Sequence, residues 1–552
     1  MPHHGEAVIE DEPEAERASA LAPFRYPIFR AVWSANLVSN FGGLIQGVGA
    51  AWMMTSIATS SYQVALVQAS TTLPIMLFAL VAGAIADGFD RRKVMLTAQS
   101  FMLVVSVLLA VFTYLGLMTP WTLLAFTFLI DCGTALNSPS WQASVGDMVP
   151  RAKVPAAVAL NSMGFNITRS VGPAIGGIIV AAFGPAAAFA VNALSYIGLV
   201  TVMARWKRDE PASPLPRESL GAAMGAGLRY VAMSPNIGKV LARGAAFGAT
   251  SGAVLALLPL VARDVVKGDA LTYGIMLGAF GVGAVCGALT SMRLRQMLSS
   301  ETMVRAAFAG FALCSLDCAL STHAWLTAIG LAVGGACWVI ALSHFNTTEQ
   351  MSTPRWVVGR VLSIYQMATF GGIALGSWIW GVVADSHGAP AALIAAAVAM
   401  LAGGALGVLL PLPQHTPLNL DPLNRFREPA LALDLQPRSG PIAIMIEFII
   451  REDDVPEFLA LMTERGRIRR RDGARNWVIA RDLEHPDVWL ETYHTPTWLE
   501  YIRHNTRITQ ADAAITERIR ELHVGPDQPR VRRWIERPTS TVTGVAKKRQ
   551  EH

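Results

Sequence analysis

Residues 83–93 read GAIADGFDRRK, and the fold turns on this stretch. The residues before it, from Tyr62 to Ala86, are apolar and uncharged, and from Val94 to Gly116 the chain is apolar again. At about 1.5 Å of rise per residue, each run is long enough to cross a hydrocarbon layer of about 30 Å. The stretch is therefore a tight basic loop between two membrane spans. Gly83 permits close helix approach, Asp87 ends the first span, and Arg91, Arg92 and Lys93 follow at once. Working outward, the same alternation predicts twelve spans, near 31–56, 62–86, 94–116, 119–143, 155–182, 186–204, 240–262, 270–292, 303–321, 324–347, 357–384 and 389–412. Polar residues make the fifth and eleventh the weakest of the set.

Composition agrees with this reading. Of 552 residues, 52% are hydrophobic and 15% charged, against about 25% charged in an ordinary soluble protein. Loops following even-numbered spans, with the loop after span six, hold seventeen Lys or Arg residues, while the opposite loops hold only Arg263 and Lys267. That bias predicts a plasma (inner) membrane protein with both termini in the cytoplasm. The net charge of +5 is thus topological, and no basic stripe with interleaved aromatics suggests nucleic acid. The five cysteines, Cys132, Cys286, Cys314, Cys318 and Cys337, all fall in apolar segments, with neither metal-ligand spacing nor a disulfide framework. No metal or cofactor is expected. The acidic, polar start lacks the features of a cleavable signal.

A shift of 204 residues superposes the halves: Gly83 on Gly287, Arg91 on Arg295, Pro150-Arg151 on Pro354-Arg355, Gly172 on Gly376, Gly177 on Gly381 and Gly184 on Gly388. The expected fold is an all-α membrane protein of two parallel six-helix repeats, with substrate between them near the midplane, plus a small α+β domain. The expected boundaries are a tail at 1–25, bundles at 26–204 and 237–412 joined by a linker at 205–236, a second linker at 413–440, the α+β domain at 441–537 and a tail at 538–552.

The loop 83–93 resembles the Gly-x-x-x-Asp-x-x-x-Arg loop of the major facilitator superfamily, and the resemblance covers about residues 24–413. It implies that Gly83, Asp87, Arg91 and Arg92 form a cytoplasmic gate, in which the Asp meets Arg and the positive end of a helix from the other half. In the second copy Ser291 stands at the Asp87 position, so the second latch is expected to be weak or absent. Span five contains VGPAIGG at residues 171–177. Its Gly172, Pro173, Gly176 and Gly177 are similar to the span-five motif of the superfamily's exporters, with Thr168 departing from the fuller pattern. Span four has no Arg or Lys. Together with Asp131, Pro139, Gln142 and Val149-Pro150, this looks like the enterobactin-exporter and macrolide-efflux branch, the transmembrane secretion effectors.

Charges inside a bilayer cost about 2.5–3.5 kcal/mol each on insertion scales and are functional candidates. Asp131 on span four and Arg169 on span five lie at similar depths, and we expect them to pair, with Asp131 carrying the coupling proton. Asn36, Asn40, Gln68 and Asn166 are candidates for the cavity wall, and each serves equally well as an interhelical hydrogen bond. In the tail, a strand at 442–450, a helix at 453–470, a hairpin at 477–493, helices near 497–504 and 509–523 and a strand at 531–535 give the order β-α-β-β-α-β. This resembles dimeric α+β barrel domains, so a homodimer through the tail is expected. The functional expectation is a secondary exporter of amphipathic small molecules, driven by a proton or cation gradient. The alternatives are an importer, or a membrane-anchored enzyme or sensor whose tail acts on the ligand.

Overall fold

A computed structural model describes residues 21–150, 153–206, 220–354, 356–412, 419–420, 423, 425–429 and 431–537. The side chains of 87, 88, 220, 222 and 223 are not described. Residues 1–20 of the expected 1–25 tail, the 538–552 tail, Arg151 and Arg355 of the repeat, and 207–219 of the expected 205–236 linker lie outside these residues, while Ala22–Arg25 form a 3-10 turn rather than part of a tail.

Twelve helices of 21 residues or more occur among the described residues: α1 (Pro27–Ile57), α2 (Ser61–Gly88), α3 (Arg91–Tyr114), α4 (Pro120–Met148), α5 (Val154–Phe183), α6 (Pro185–Arg205), then α8 (Pro235–Leu260), α9 (Ala270–Met297), α10 (Ser300–Leu320), α11 (Ala324–Met351), α12 (Val358–His387) and α13 (Ala389–Leu409). A short α7 (Leu220–Ala232) lies between the two sets. Ten of the twelve are long and apolar enough to cross a membrane. The fifth and eleventh spans are among the ten. Span one and span four fall short of that apolarity, although their helices have 31 and 29 residues.

Local chemistry sets the helix ends. Thr119 and Asp269 each form a capping box, with Thr122 and Thr272. Gly184 and Gly388 take left-handed φ values of +78° and +83° and turn the chain into α6 and α13. They stand 204 residues apart, so the repeat read from sequence carries the same sharp turn in both copies.

The chain divides into two compact units. The first comprises residues 1–224, 236–349 and 362–414. In its N-terminal half, α1 packs on α5 and α6, and α4 on α2 and α3. The centre is polar: Asn192 of α6 donates to Gln46 of α1 and to Ser106 of α3 at 3.3 Å. All three side chains are buried. Such bonds hold helices together where lipid supplies no hydrophobic drive. The C-terminal half is centred instead on rings. Phe247 lies 5.0 Å from Phe308 and 5.7 Å from Phe311, and Phe280 lies 5.8 Å from Trp338.

The second unit comprises residues 225–235, 350–361 and 415–552. Strands β1 (Ile442–Ile449), β2 (Arg475–Arg481), β3 (Val488–Thr495) and β4 (Arg530–Ile535) form one sheet in the order β2-β3-β1-β4, antiparallel throughout. Helices α14 (Val455–Arg471), α15 (Trp498–Thr506) and α16 (Gln510–Leu522) complete it. Alternation along β1 buries Ile442, Ile444, Ile446 and Phe448 toward Phe458, Met462 and Tyr501. The helix expected at 453–470 and the hairpin are found in place. The unit also takes in segments that the linear division had kept apart. Tyr230 meets the Trp356 ring at 5.9 Å, and Arg467 donates to the Met233 carbonyl at 2.7 Å.

Candidate transport site

The two halves of the first unit meet along two helix seams. In one, α5 lies on α9. A Cβ on Gly177 would sit 2.8 Å from the Ala270 carbonyl oxygen and 3.1 Å from the Cα of Gly274. Only glycine allows these backbones to pass so closely. On the other side of α5, a Cβ on Gly172 would meet Leu44 at 3.1 Å, and one on Gly176 would meet the Cα of Ile45 at 3.1 Å. Pro173 lies buried inside the helix. The motif therefore wedges α5 between its own bundle and the partner repeat.

In the second seam α2 runs beside α12. A Cβ on Gly83 would lie 3.5 Å from the Ser363 hydroxyl, one on Gly371 would lie 2.7 Å from Met76 sulfur, and one on Gly381 would lie 2.7 Å from Ala65. At the far end the Ser61 amide donates to Asp385 Oδ1 at 2.8 Å. A carboxylate from one repeat thus caps the positive start of a helix in the other. Here a carboxylate meets a helix start at the end of α2 opposite the basic loop, a contact the sequence reading missed. Near it, Trp52 stacks on Tyr273 at 6.3 Å, and Arg263 donates to the Thr55 carbonyl. The face opposite the basic loops therefore carries several contacts between the repeats.

On the basic face Arg91 and Arg92 bond within the N-terminal half. Arg91 donates to the Ala143 carbonyl at 3.0 Å and to Asp147 at 3.2 Å. Arg92 caps the end of α6 through the carbonyls of Met203 and Ala204, at 2.8 and 2.7 Å. Arg295, one repeat later, reaches Ser343 and Thr347 in the same manner, at 3.3–3.4 Å. The side chain of Asp87 lies outside the described residues.

Asp131 and Arg169 are both half-buried, but no ion pair joins them. The guanidinium of Arg169 lies 5.8 Å from the Phe280 ring of α9, in the other repeat. Asp131 sits near Cys132 and Tyr196, beside the Asn192 network. The expected pairing is corrected for a simple reason. Helix α4 packs mainly on α2 and α3 while α5 packs mainly on α9 and α1, so these two spans meet only sparsely. Asn36 lines a narrow gap with Gln99, Asn137 and Trp141 inside the N-terminal half. Asn40, Gln68 and Asn166 are half-buried. Among the described residues the only side-chain bond from the three is Gln68 to Thr71, within its own helix.

Two buried charges are not among the residues expected from sequence. Arg243 of α8 is 0% exposed and donates to Glu301 of α10 at 2.7 Å, and Glu301 also accepts from Arg305 and the Leu412 amide. Glu349 is 0% exposed at the end of α11, with neither carboxylate oxygen hydrogen-bonded among the described residues. The expected span ten ends at 347, whereas the helix runs on to Met351 and includes Glu349. The polar residues at 346–350 leave no hydropathy signal that would carry the helix on to Met351.

A family model described as transmembrane secretion effector matches residues 18–540. The staphyloferrin A transporter of Staphylococcus aureus is 23% identical over 362 residues, covering 64% of this chain and 89% of that protein. The enterobactin exporter of Citrobacter koseri is 26% identical over 414 residues, covering 73% and 94%. Among solved structures, a bacterial homologue of the human lysosomal transporter Spinster, inward-facing and unoccupied, aligns with a TM-score of 0.55 at 12% identity, over 72% of this chain and 96% of that one. A peptide-transporter-family protein, PepTSo, aligns at 0.57 and 13%, over 70% and 97%. At such identities these structures speak for the fold.

Proposed function

Since the chain belongs to the transmembrane secretion effector family of the major facilitator superfamily, we propose that it exports a siderophore or a similar amphipathic small molecule across the inner membrane, by alternating access and in exchange for protons. The observation that carries this reading is the α5–α9 seam. The glycine motif that resembles the exporters' stands where the repeats touch, at Gly177 and Gly274. Named exporters and transporters of siderophores among the relatives support the substrate class. The contacts of Asp385, Tyr273 and Arg263 support a state closed on the face opposite the basic loops. The loop charges support both termini in the cytoplasm.

Asp131 is the proton carrier in this proposal. Arg169, directed at the opposite repeat, contributes a positive wall rather than a partner for Asp131 in this state. Gly83, Asp87, Arg91 and Arg92 form the gate at the basic face. Asn40, Gln68 and Asn166 offer polar contacts to substrate, and Asn36 stays inside its bundle. Two copies pair through the C-terminal domain, whose helices cover one face of the sheet and leave Met445, Leu490 and Thr492 on the other. The mass of the full chain in detergent checks that pairing.

The test of export is everted membrane vesicles with an imposed proton gradient, supplied with a labelled catecholate siderophore. Gradient-dependent uptake that loses its pH dependence in Asp131→Asn is expected. Uptake in Asp131→Asn with its pH profile intact would refute the proton role. Equal siderophore efflux with and without the gene would refute the function.

A further inference from the structure

The second unit contains a cavity of about 340 Å³ between the inner face of its sheet and its helices. Its floor is Ile446, Phe448 and Tyr493, and its walls include Arg465, Arg469, Tyr501 and His504. Two of these are cations removed from water: Arg465 is 7% exposed and Arg469 8%. Buried charges demand partners, and here one carboxylate serves both. Glu491, 0% exposed, accepts from Arg465 at 2.9 Å and from Arg469 at 3.4 Å. Arg465 also donates to Thr516 at 3.0 Å, and Arg469 to Nε2 of His504 at 2.9 Å. A guanidinium has five N–H donors. Among the described residues, Nη2 of neither arginine has a protein acceptor.

The charge balance is therefore positive. Burial tends to raise the Glu491 carboxyl, but Arg465 and Arg469 outweigh it and hold the group below its usual range. Burial, and then the charge of Arg469, push His504 well below its usual value, so it stays neutral. Asp472 and Asp512 also line the cavity, but Arg471 takes both, at 2.8 and 2.9 Å. Arg427, Arg520 and Arg533 add further positive charge around the space. Aromatic faces complete it. Tyr493 lies under Arg469 at 4.6 Å, and Tyr501 stacks on Trp498 at 4.9 Å.

We propose that this cavity binds a small aromatic carboxylate, its carboxylate on the free Nη2 groups of Arg465 and Arg469 and its ring against Tyr493 and Tyr501. Volume favours one substituted ring, since drug-sized sites span about 300–1,000 Å³ and this cavity stands at the lower end. Leu423 and residues 425–428, on the chain between the last span and β1, lie across it. Leu423 donates to the Ile508 carbonyl at 2.9 Å, Arg425 pairs with Glu517 at 3.0 Å, Phe426 meets Tyr501 at 6.0 Å, and Glu428 accepts from Trp498 at 2.9 Å. A ligand in the cavity presses on this strap, so the domain reports the concentration of an aromatic acid to the chain that leads to the transporter. The binding site itself does not depend on the export reading.

The experiment is titration calorimetry on the full chain in nanodiscs, with 2,3-dihydroxybenzoate as probe and catechol as the same ring without a carboxylate. Saturable binding of one probe per chain is expected, with catechol at least about 10-fold weaker for the lost charged hydrogen bonds. Arg469→Lys keeps the charge but not the planar fork, and should weaken the probe by about 10-fold or more. Arg533→Gln is an exposed change that leaves the buried network in place, and should weaken it several-fold. No saturable binding, equal affinity for catechol, or affinity unchanged in Arg533→Gln and in a folded Arg469→Lys would each overturn the proposal.

Discussion

The two six-helix repeats share a fold and a turn at Gly184 and Gly388, yet their interiors are built from different chemistry. The N-terminal half is centred on Gln46, Ser106 and Asn192 and carries Asp131 and Arg169 at half-exposed positions. The C-terminal half is centred on five large rings and locks the buried Arg243 onto Glu301. The rings pack without hydrogen bonds to exchange, whereas the polar centre has donors and acceptors that can re-pair.

The sharpest way to break that contrast is at the ring cluster and its pin. Glu301→Leu leaves Arg243 buried and unpaired and should destabilise the chain by about 3–5 kcal/mol, read as a fall in the detergent melting temperature. Phe308→Ala opens a cavity beside Phe247 and should cost about 3–5 kcal/mol by the same assay. Gln46→Leu strands Asn192 and should cost about 1–3 kcal/mol, while Gln46→Leu with Asn192→Leu should cost less than the two single changes added together. A double variant that costs the full sum would show that the polar centre is not one network. Asp385→Asn weakens a carboxylate at a helix start, worth about 0.3–1 kcal/mol. It should leave stability nearly unchanged and raise thiol labelling of a cysteine placed at Ser61.

The soluble unit adds a pH-dependent contrast. His504 is depressed when folded, so the unfolded chain takes up a proton first. Its contribution to stability is full above the unfolded value near 6.5 and is lost as pH falls from there toward the folded value. Glu491, held low by its arginines, adds a second loss below the unfolded value near 4.5. Hydrogen exchange of β3 should accelerate through the upper window in the native chain and not in a folded His504→Asn variant.

Much of this architecture could be read from the chain alone. Hydropathy sets span length, because a bilayer demands about 20 apolar residues whatever lies beside them, and loop charge sets the expected orientation. A constant offset of 204 identified the repeat, because duplicated helices need the same turn glycines. Alternation and turn residues gave the β-α-β-β-α-β order of the tail. Sequence could not say which helices touch. Asp131 and Arg169 looked like partners because their spans are consecutive, but α5 lies on α9 and α4 on α2 and α3. The Asp385 cap, the Arg243–Glu301 pin and the double use of Glu491 likewise join residues from 22 to 324 positions apart. Hydrogen bonds and ion pairs act over a few ångströms, so they are decided by tertiary packing, and no pattern along the chain records it.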